Sequence, residues 1–201
     1  MLLSACSFYS HATTLLILGD SLSAGYMMSL EESWPVLLQT QWNKENQNIT
    51  IINSSISGST TQDGLARLPA LMEKHHPDAV LIELGANDGL RGFPTTVPDQ
   101  TLQKIIGIIQ KYRSQPLLMQ IRIPRNYGAI YIEKLEAIYP NLSSKFKIPL
   151  LPFFMEQIVI HPELMREDGI HPTAAAQPKI TAMMAPLLLS ELKSLPRQES
   201  Q

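Results

Sequence analysis

The sequence predicts an α/β protein: a three-layer α/β/α sandwich on a five-stranded parallel sheet. Three observations carry this. Short apolar runs alternate with amphipathic stretches of helical spacing. Runs that are nearly continuous in apolar residues are the mark of strands buried on both faces, and right-handed crossovers then place helices on both sides of the sheet. Finally, the first three runs each end in small or polar residues, and ligands bind open α/β sheets at the carboxyl ends of the strands.

The elements follow in order. Thr14–Leu18 has the length and composition of a buried strand. Ser33–Asn46 is amphipathic, and Ile49–Ile52 is a second strand that ends at Asn53-Ser54. Thr61–Lys74 has helical spacing, with Leu65, Leu68, Leu71 and Met72 on one face. Ala79–Leu84 is a third strand, stopped by Gly85. Thr101–Arg113 turns Leu102, Ile105, Ile106 and Ile109 inward. Pro116–Ile121 is the fourth strand, Tyr131–Lys145 a helix, and Pro149–Phe153 a short fifth strand. Thr173–Leu195 is a long terminal helix, expected to bend near Pro178 and Pro186.

Composition sets limits on function. The 201 residues suffice for one well-buried domain, here 13–195, and 44% hydrophobic against 17% charged residues fits a globular chain. A net charge of -2 gives no basic footprint for nucleic acid. No apolar stretch reaches the roughly 20 residues of a membrane span, so no stable membrane insertion is expected. Residues 1–12 are mildly apolar and end in the small-x-small Ser10-His11-Ala12, which reads as a signal-peptide remnant, with a disordered tail as the alternative. Leu3-Ser4-Ala5-Cys6 matches an acylation box in its letters, but only two residues precede it. Cleavage after Ala12 would remove Cys6, the single cysteine, and leave no disulfide. Residues 196–201 read as a frayed tail, and a monomer is expected.

Four segments carry the chemistry. Gly19-Asp20-Ser21-Leu22 follows the first strand, Ser54–Thr60 the second, and Gly85-Ala86-Asn87-Asp88-Gly89 the third. Asp168-Gly169-Ile170-His171-Pro172 precedes the last helix. A serine hydroxyl needs a base to become nucleophilic, the base needs an acid to fix its tautomer, and acyl transfer needs donors for an oxyanion. Ser21 suits the nucleophile, His171 the base and Asp168 the acid. The N–H of Ser21, the N–H of Gly58 and the Asn87 amide suit the oxyanion donors. A glycine at 58 lets substrate approach the backbone.

These blocks resemble the SGNH (GDSL-type) hydrolase family, whose four letters fall on Ser21, Gly58, Asn87 and His171 in chain order. Gly64-Leu65-Ala66-Arg67-Leu68-Pro69-Ala70-Leu71 and Asn87-Asp88-Gly89-Leu90-Arg91-Gly92 extend the match. The resemblance covers the chain from about Thr14 to the terminal helix. It implies a flavodoxin-like fold and a periplasmic serine hydrolase of thioesters, lysophospholipids and simple esters, with a cytoplasmic location as the alternative. It further implies no metal and no cofactor, and a small acyl ester or thioester as partner. Ser59 is a departure, standing where the family leads one to expect aspartate.

Other residues read more plainly. Asp20 and Asp88 are expected to be structural, and His75, His76 and His161 solvated or structural. Arg67, Arg91, Arg122 and Arg125 read as surface or fold-supporting charges, with one of them meeting an anionic head group as the alternative. Leu90, Phe93 and Pro94 follow Asn87 and are candidates to wall an acyl chain. A metallophosphoesterase would need clustered His and Asp ligands, and the first strand lacks an Asp-x-His. A binding or receiver domain would leave Ser21, Asn87 and His171 unexplained.

Overall fold

The computed structural model describes residues 12–195. The expected signal-peptide remnant and the C-terminal tail lie outside the described residues, apart from Ala12. The chain runs β1 (Thr13–Gly19), α1 (Ser21–Ala24), α2 (Trp34–Lys44), β2 (Ile49–Asn53), α3 (Thr61–His75) and β3 (Ala79–Glu83). It continues with α4 (Ala86–Leu90), α5 (Thr96–Lys111), β4 (Gln115–Met119), α6 (Ala129–Phe146), β5 (Leu150–Leu151) and α7 (Gln177–Lys193). The sheet is parallel throughout, in the order β2-β1-β3-β4-β5.

That order explains where a site can form. The chain leaves β1 toward β2, then crosses back to β3 and onward. Right-handed crossovers therefore put α2 on one face and α3, α5 and α6 on the other. Helix α7 joins α2, while α3 packs on α5 and α5 on α6. The direction reverses between β1 and β3, and this switch point opens a crevice at their carboxyl ends. Both strands are buried there: Leu15–Leu18 and Val80–Ile82 are fully covered, with Trp34, Leu38 and Trp42 of α2 also in the core.

Several boundaries differ from the sequence expectation. Helix α5 begins at Thr96, five residues early, because Pro98 falls in its first turn, where a missing N–H costs nothing. Pro178 likewise opens α7 rather than bending it, and the helix continues through Pro186. A separate 3₁₀ turn at Ala174–Ala176 precedes α7. Strand β5 shrinks to Leu150–Leu151 between two prolines that cannot donate to the ladder. Helices α1 and α4 are additional; the sequence reads both segments as turns. Helix α3 starts where expected, under a capping box in which Thr60 and Asp63 satisfy each other's backbone N–H. Among the described residues no helix is long and apolar enough to cross a membrane.

Candidate active site

The turn after β1 is shaped by what lies beneath it. A Cβ at Gly19 would sit 2.6 Å from Glu83 Oε2 and 2.7 Å from Ser55 Oγ, so only glycine passes. Asp20 then caps α1, its Oδ1 accepting from the Leu22 N–H at 3.0 Å. Ser21 is the first helical residue, and its side chain lines a cleft of about 930 Å³.

The expected base and acid come from a loop closed on itself. Met165 and Pro172 form an antiparallel bridge, and the Arg166 N–H donates to the His171 carbonyl at 2.9 Å. Ser21 Oγ lies 2.8 Å from His171 Nε2, and His171 Nδ1 lies 2.8 Å from Asp168 Oδ2. Asp168 Oδ1 also accepts from the N–H groups of Ile170 and His171, each at 2.9 Å. Burial works against the Asp168 charge. The two N–H groups and the imidazole outweigh it and pull the carboxyl down to about 2. Tyr26, which the sequence did not flag, stacks on the imidazole with centroids 4.3 Å apart and planes tilted by 34°.

The three expected oxyanion donors stand differently. No hydrogen bond within the described residues engages the N–H of Ser21 or of Gly58. Gly58 lines a smaller cavity of about 480 Å³ beside the main cleft, and its carbonyl accepts from Arg91 Nη2 at 2.8 Å. The Asn87 amide Nδ2 donates to Asp20 Oδ2 and to the Ser59 carbonyl, both at 3.1 Å. Asn87 would therefore serve an oxyanion by sharing the hydrogen now given to Ser59. Removing the amide by Asn87→Ala should lower kcat about 10²–10³-fold, the usual loss for one oxyanion donor. Steady-state ester hydrolysis measures this, and an unchanged kcat would remove Asn87 from the reaction.

Around this centre, Arg67 donates to Ser59 Oγ and the Gly19 carbonyl, both at 3.0 Å. Arg67 and Arg91 thus brace the loops after β1 and β2. Ser59, where aspartate was expected, offers Arg67 a neutral partner. Asp88 is buried and binds the N-terminus of α3 through the Thr61 N–H (2.8 Å) and Oγ1 (2.6 Å). Gly85, at φ +115°, leaves room for the Tyr139 hydroxyl, which donates to the Leu84 carbonyl at 2.9 Å. His75 and His76 close the far end of α3, and His161 lies 3.4 Å from Glu163; none joins Ser21.

Of the three residues expected to wall an acyl chain, Leu90 lines the cleft, while Phe93 and Pro94 are not among its lining residues. The Phe93 carbonyl accepts from the Tyr131 hydroxyl at 2.7 Å. The apolar wall opposite Ser21 comes instead from Ile123, Pro124, Ile132, Phe153 and Met155. Arg122 and Arg125 also line this cleft, and Arg122 pairs with Glu136 and Glu156 across it.

Asp20 and Glu83 form a buried carboxyl pair. Burial is the largest influence on both; it raises Asp20 to about 6, offset in part by bonds from Leu22, Glu83 and Asn87 and by the charge of His171. Glu83 is pushed well up by burial and by the Asp20 charge. Arg67, His171 and Tyr139 also face the pair. Both carboxyls titrate higher folded than unfolded, so the folded state holds the extra proton. The stabilisation from Asp20 is complete below about pH 4 and is lost as pH rises through about 6, and that from Glu83 has the same sign. Asp168 has the opposite sign, its contribution being lost only as pH falls toward about 2. Melting temperatures should therefore decline between about pH 4.5 and 7.5, and Glu83→Gln should flatten that decline. An equal slope in the variant would contradict the shared proton.

A parallel α/β/α sandwich that aligns serine, histidine and aspartate at its strand ends has the architecture of a serine hydrolase. The chain belongs to the GDSL-like lipase/acylhydrolase family, whose model matches residues 17–177. Its relatives include the thioesterase 1/protease 1/lysophospholipase L1 of Escherichia coli (strain K12), 54% identical over 174 residues, 87% of this chain and 82% of that protein. An arylesterase of Vibrio mimicus is 51% identical over 178 residues, 89% of each chain. Among solved structures, the psychrotrophic esterase EstA from Pseudoalteromonas sp., inhibited by monoethylphosphonate, has a TM-score of 0.88 at 41% identity. That likeness covers 90% of this chain and 100% of the other. The chain is accordingly an ester hydrolase.

Proposed function

We propose that the chain hydrolyses acyl thioesters and carboxylic esters through an acyl-enzyme on Ser21. The observation that carries this is the row of two 2.8 Å contacts from Ser21 Oγ through His171 to Asp168. His171 Nε2 takes the Ser21 proton as Oγ attacks the acyl carbon. The proton passes to the departing alcohol or thiol, and the acyl group stays on Oγ. Water, deprotonated by the same nitrogen, then releases the fatty acid and restores Ser21. Asp168 holds the imidazole with its proton on Nδ1 and stabilises the imidazolium.

The apolar wall of the cleft supports an acyl substrate, and the names of the relatives support thioesters, lysophospholipids and aryl esters as candidates. The test is fluorophosphonate labelling of Ser21, followed by acyl-CoA and lysophospholipid series of increasing chain length. Labelling at Ser21 is expected, and its absence would overturn the reading. Leu90→Ala should weaken long-chain substrates selectively, whereas Phe93→Ala should affect all lengths alike. The opposite pattern would return the acyl wall to Phe93.

A periplasmic location is supported by Ser10-His11-Ala12 ahead of β1, and cell fractionation tests it. A monomer is tested by light scattering.

A further inference from the structure

Two buried carboxyl groups lie beneath the nucleophile and take no part in the proton transfers above. Asp20 is 1% exposed and Glu83 0%, and the strand register sets Gly19 beside Glu83. The Asp20 N–H donates to Glu83 Oε2 at 3.3 Å, and the Asp20 charge raises the Glu83 carboxyl. Two carboxyl groups so placed have no donor between them unless one holds a proton.

The remaining bonds show which partner holds it. Asp20 is supplied with donors on both oxygens: the Leu22 N–H reaches Oδ1 at 3.0 Å and the Asn87 amide reaches Oδ2 at 3.1 Å. That is the surrounding of a carboxylate. Glu83 accepts only on Oε2, from Ser23 Oγ at 2.8 Å and the Asp20 N–H at 3.3 Å. Its Oε1 is buried, and no N–H or O–H among the described residues reaches it. A buried oxygen that accepts nothing is the one free to carry a proton.

We propose that Glu83 is a positioning residue for the hydrolytic reaction: as the neutral acid it donates to the Asp20 carboxylate, and Asp20 in turn orients the Asn87 amide. The pair then carries one negative charge, placed against Asn87 and the first turn of α1. An ionised Glu83 would add a second negative charge beneath the place where an oxyanion develops, and would leave Asp20 without its donor. Burial, which pushes Glu83 upward, works in the same direction. The inference rests on the reading of Ser21 and Asn87 given above.

The test uses the whole chain with ¹³C in its glutamate side-chain carboxyls. At neutral pH the wild type should show one glutamate resonance in the neutral-acid position, absent from Glu83→Gln. Kinetically, Glu83→Gln keeps a donor toward Asp20 and should leave kcat close to wild type. Glu83→Met removes it and should lower kcat about 10²-fold with KM little changed, the size of one misplaced oxyanion donor. Equal losses in the two variants, or a wild type whose glutamates are all ionised, would overturn the proposal. The wild-type resonance decides alone if neither variant folds. A wild type inert to fluorophosphonate sinks the Ser21 reading and this one with it. A reactive wild type with equal losses in both variants sinks only this one.

Discussion

Ser21→Ala should lower kcat about 10⁶-fold, and His171→Ala by a similar factor, because nucleophile and base act as a unit. Among the described residues the geometry leaves no substitute. His75, His76 and His161 do not join the site, and Ser23, the next hydroxyl along α1, is committed to Glu83 Oε2 at 2.8 Å. Stability should be nearly unaffected, since Ser21 is half-buried and its hydroxyl bonds only His171. The measurement is kcat with active-site titration, beside a thermal melt. Hydrolysis at near-normal rates by a folded Ser21→Ala enzyme would end the acyl-enzyme mechanism. A double variant losing far more than either single one would show that the residues act separately.

Asp168→Asn should cost about 10³–10⁴-fold in kcat, through the tautomer of His171. Asp168 Oδ1 already accepts two backbone N–H groups. In the asparagine variant the amide oxygen must keep that place, since an NH₂ there would face two donors. The NH₂ then points at His171 Nδ1 and forces it to accept. The proton moves to Nε2, which now donates to Ser21 Oγ instead of taking its proton. Nitrogen chemical shifts of the imidazole check this directly and should report the Nε2–H form. A variant with the wild-type tautomer and a large loss in kcat would assign Asp168 an electrostatic role alone.

The sequence made the catalytic row legible because its parts sit at places that topology makes special. Ser21 and Asn87 follow β1 and β3, the strands either side of the switch point, and alternation of apolar runs is enough to find those ends. Asp168 and His171 share one turn, so their meeting needs no tertiary reasoning. What escaped has physical reasons too. Helices α1 and α4 have four and five residues, too few for a helical period to register. Ile123, Ile132 and Met155 reach the cleft from three separate segments, and only the packing of α6 against the sheet brings them together. Glu83 closes a wholly buried strand, Ala79–Glu83, where an acid gives no periodic signal. The hint was there in composition: an acid ending an otherwise apolar strand, two residues before a glycine, must have a partner.

The contact between Ser21 and His171 joins residues 150 positions apart. The nucleophile belongs to the middle of the sheet, and its base arrives on the last loop before the final helix. Catalytic competence is therefore an attribute of the completed chain. On the proposed mechanism, a chain that pairs β1 with β2 and β3, and so builds the Ser21 and Asn87 side of the site, should be inert toward esters. Hydrolysis begins only when the segment holding Asp168 and His171 closes over that surface.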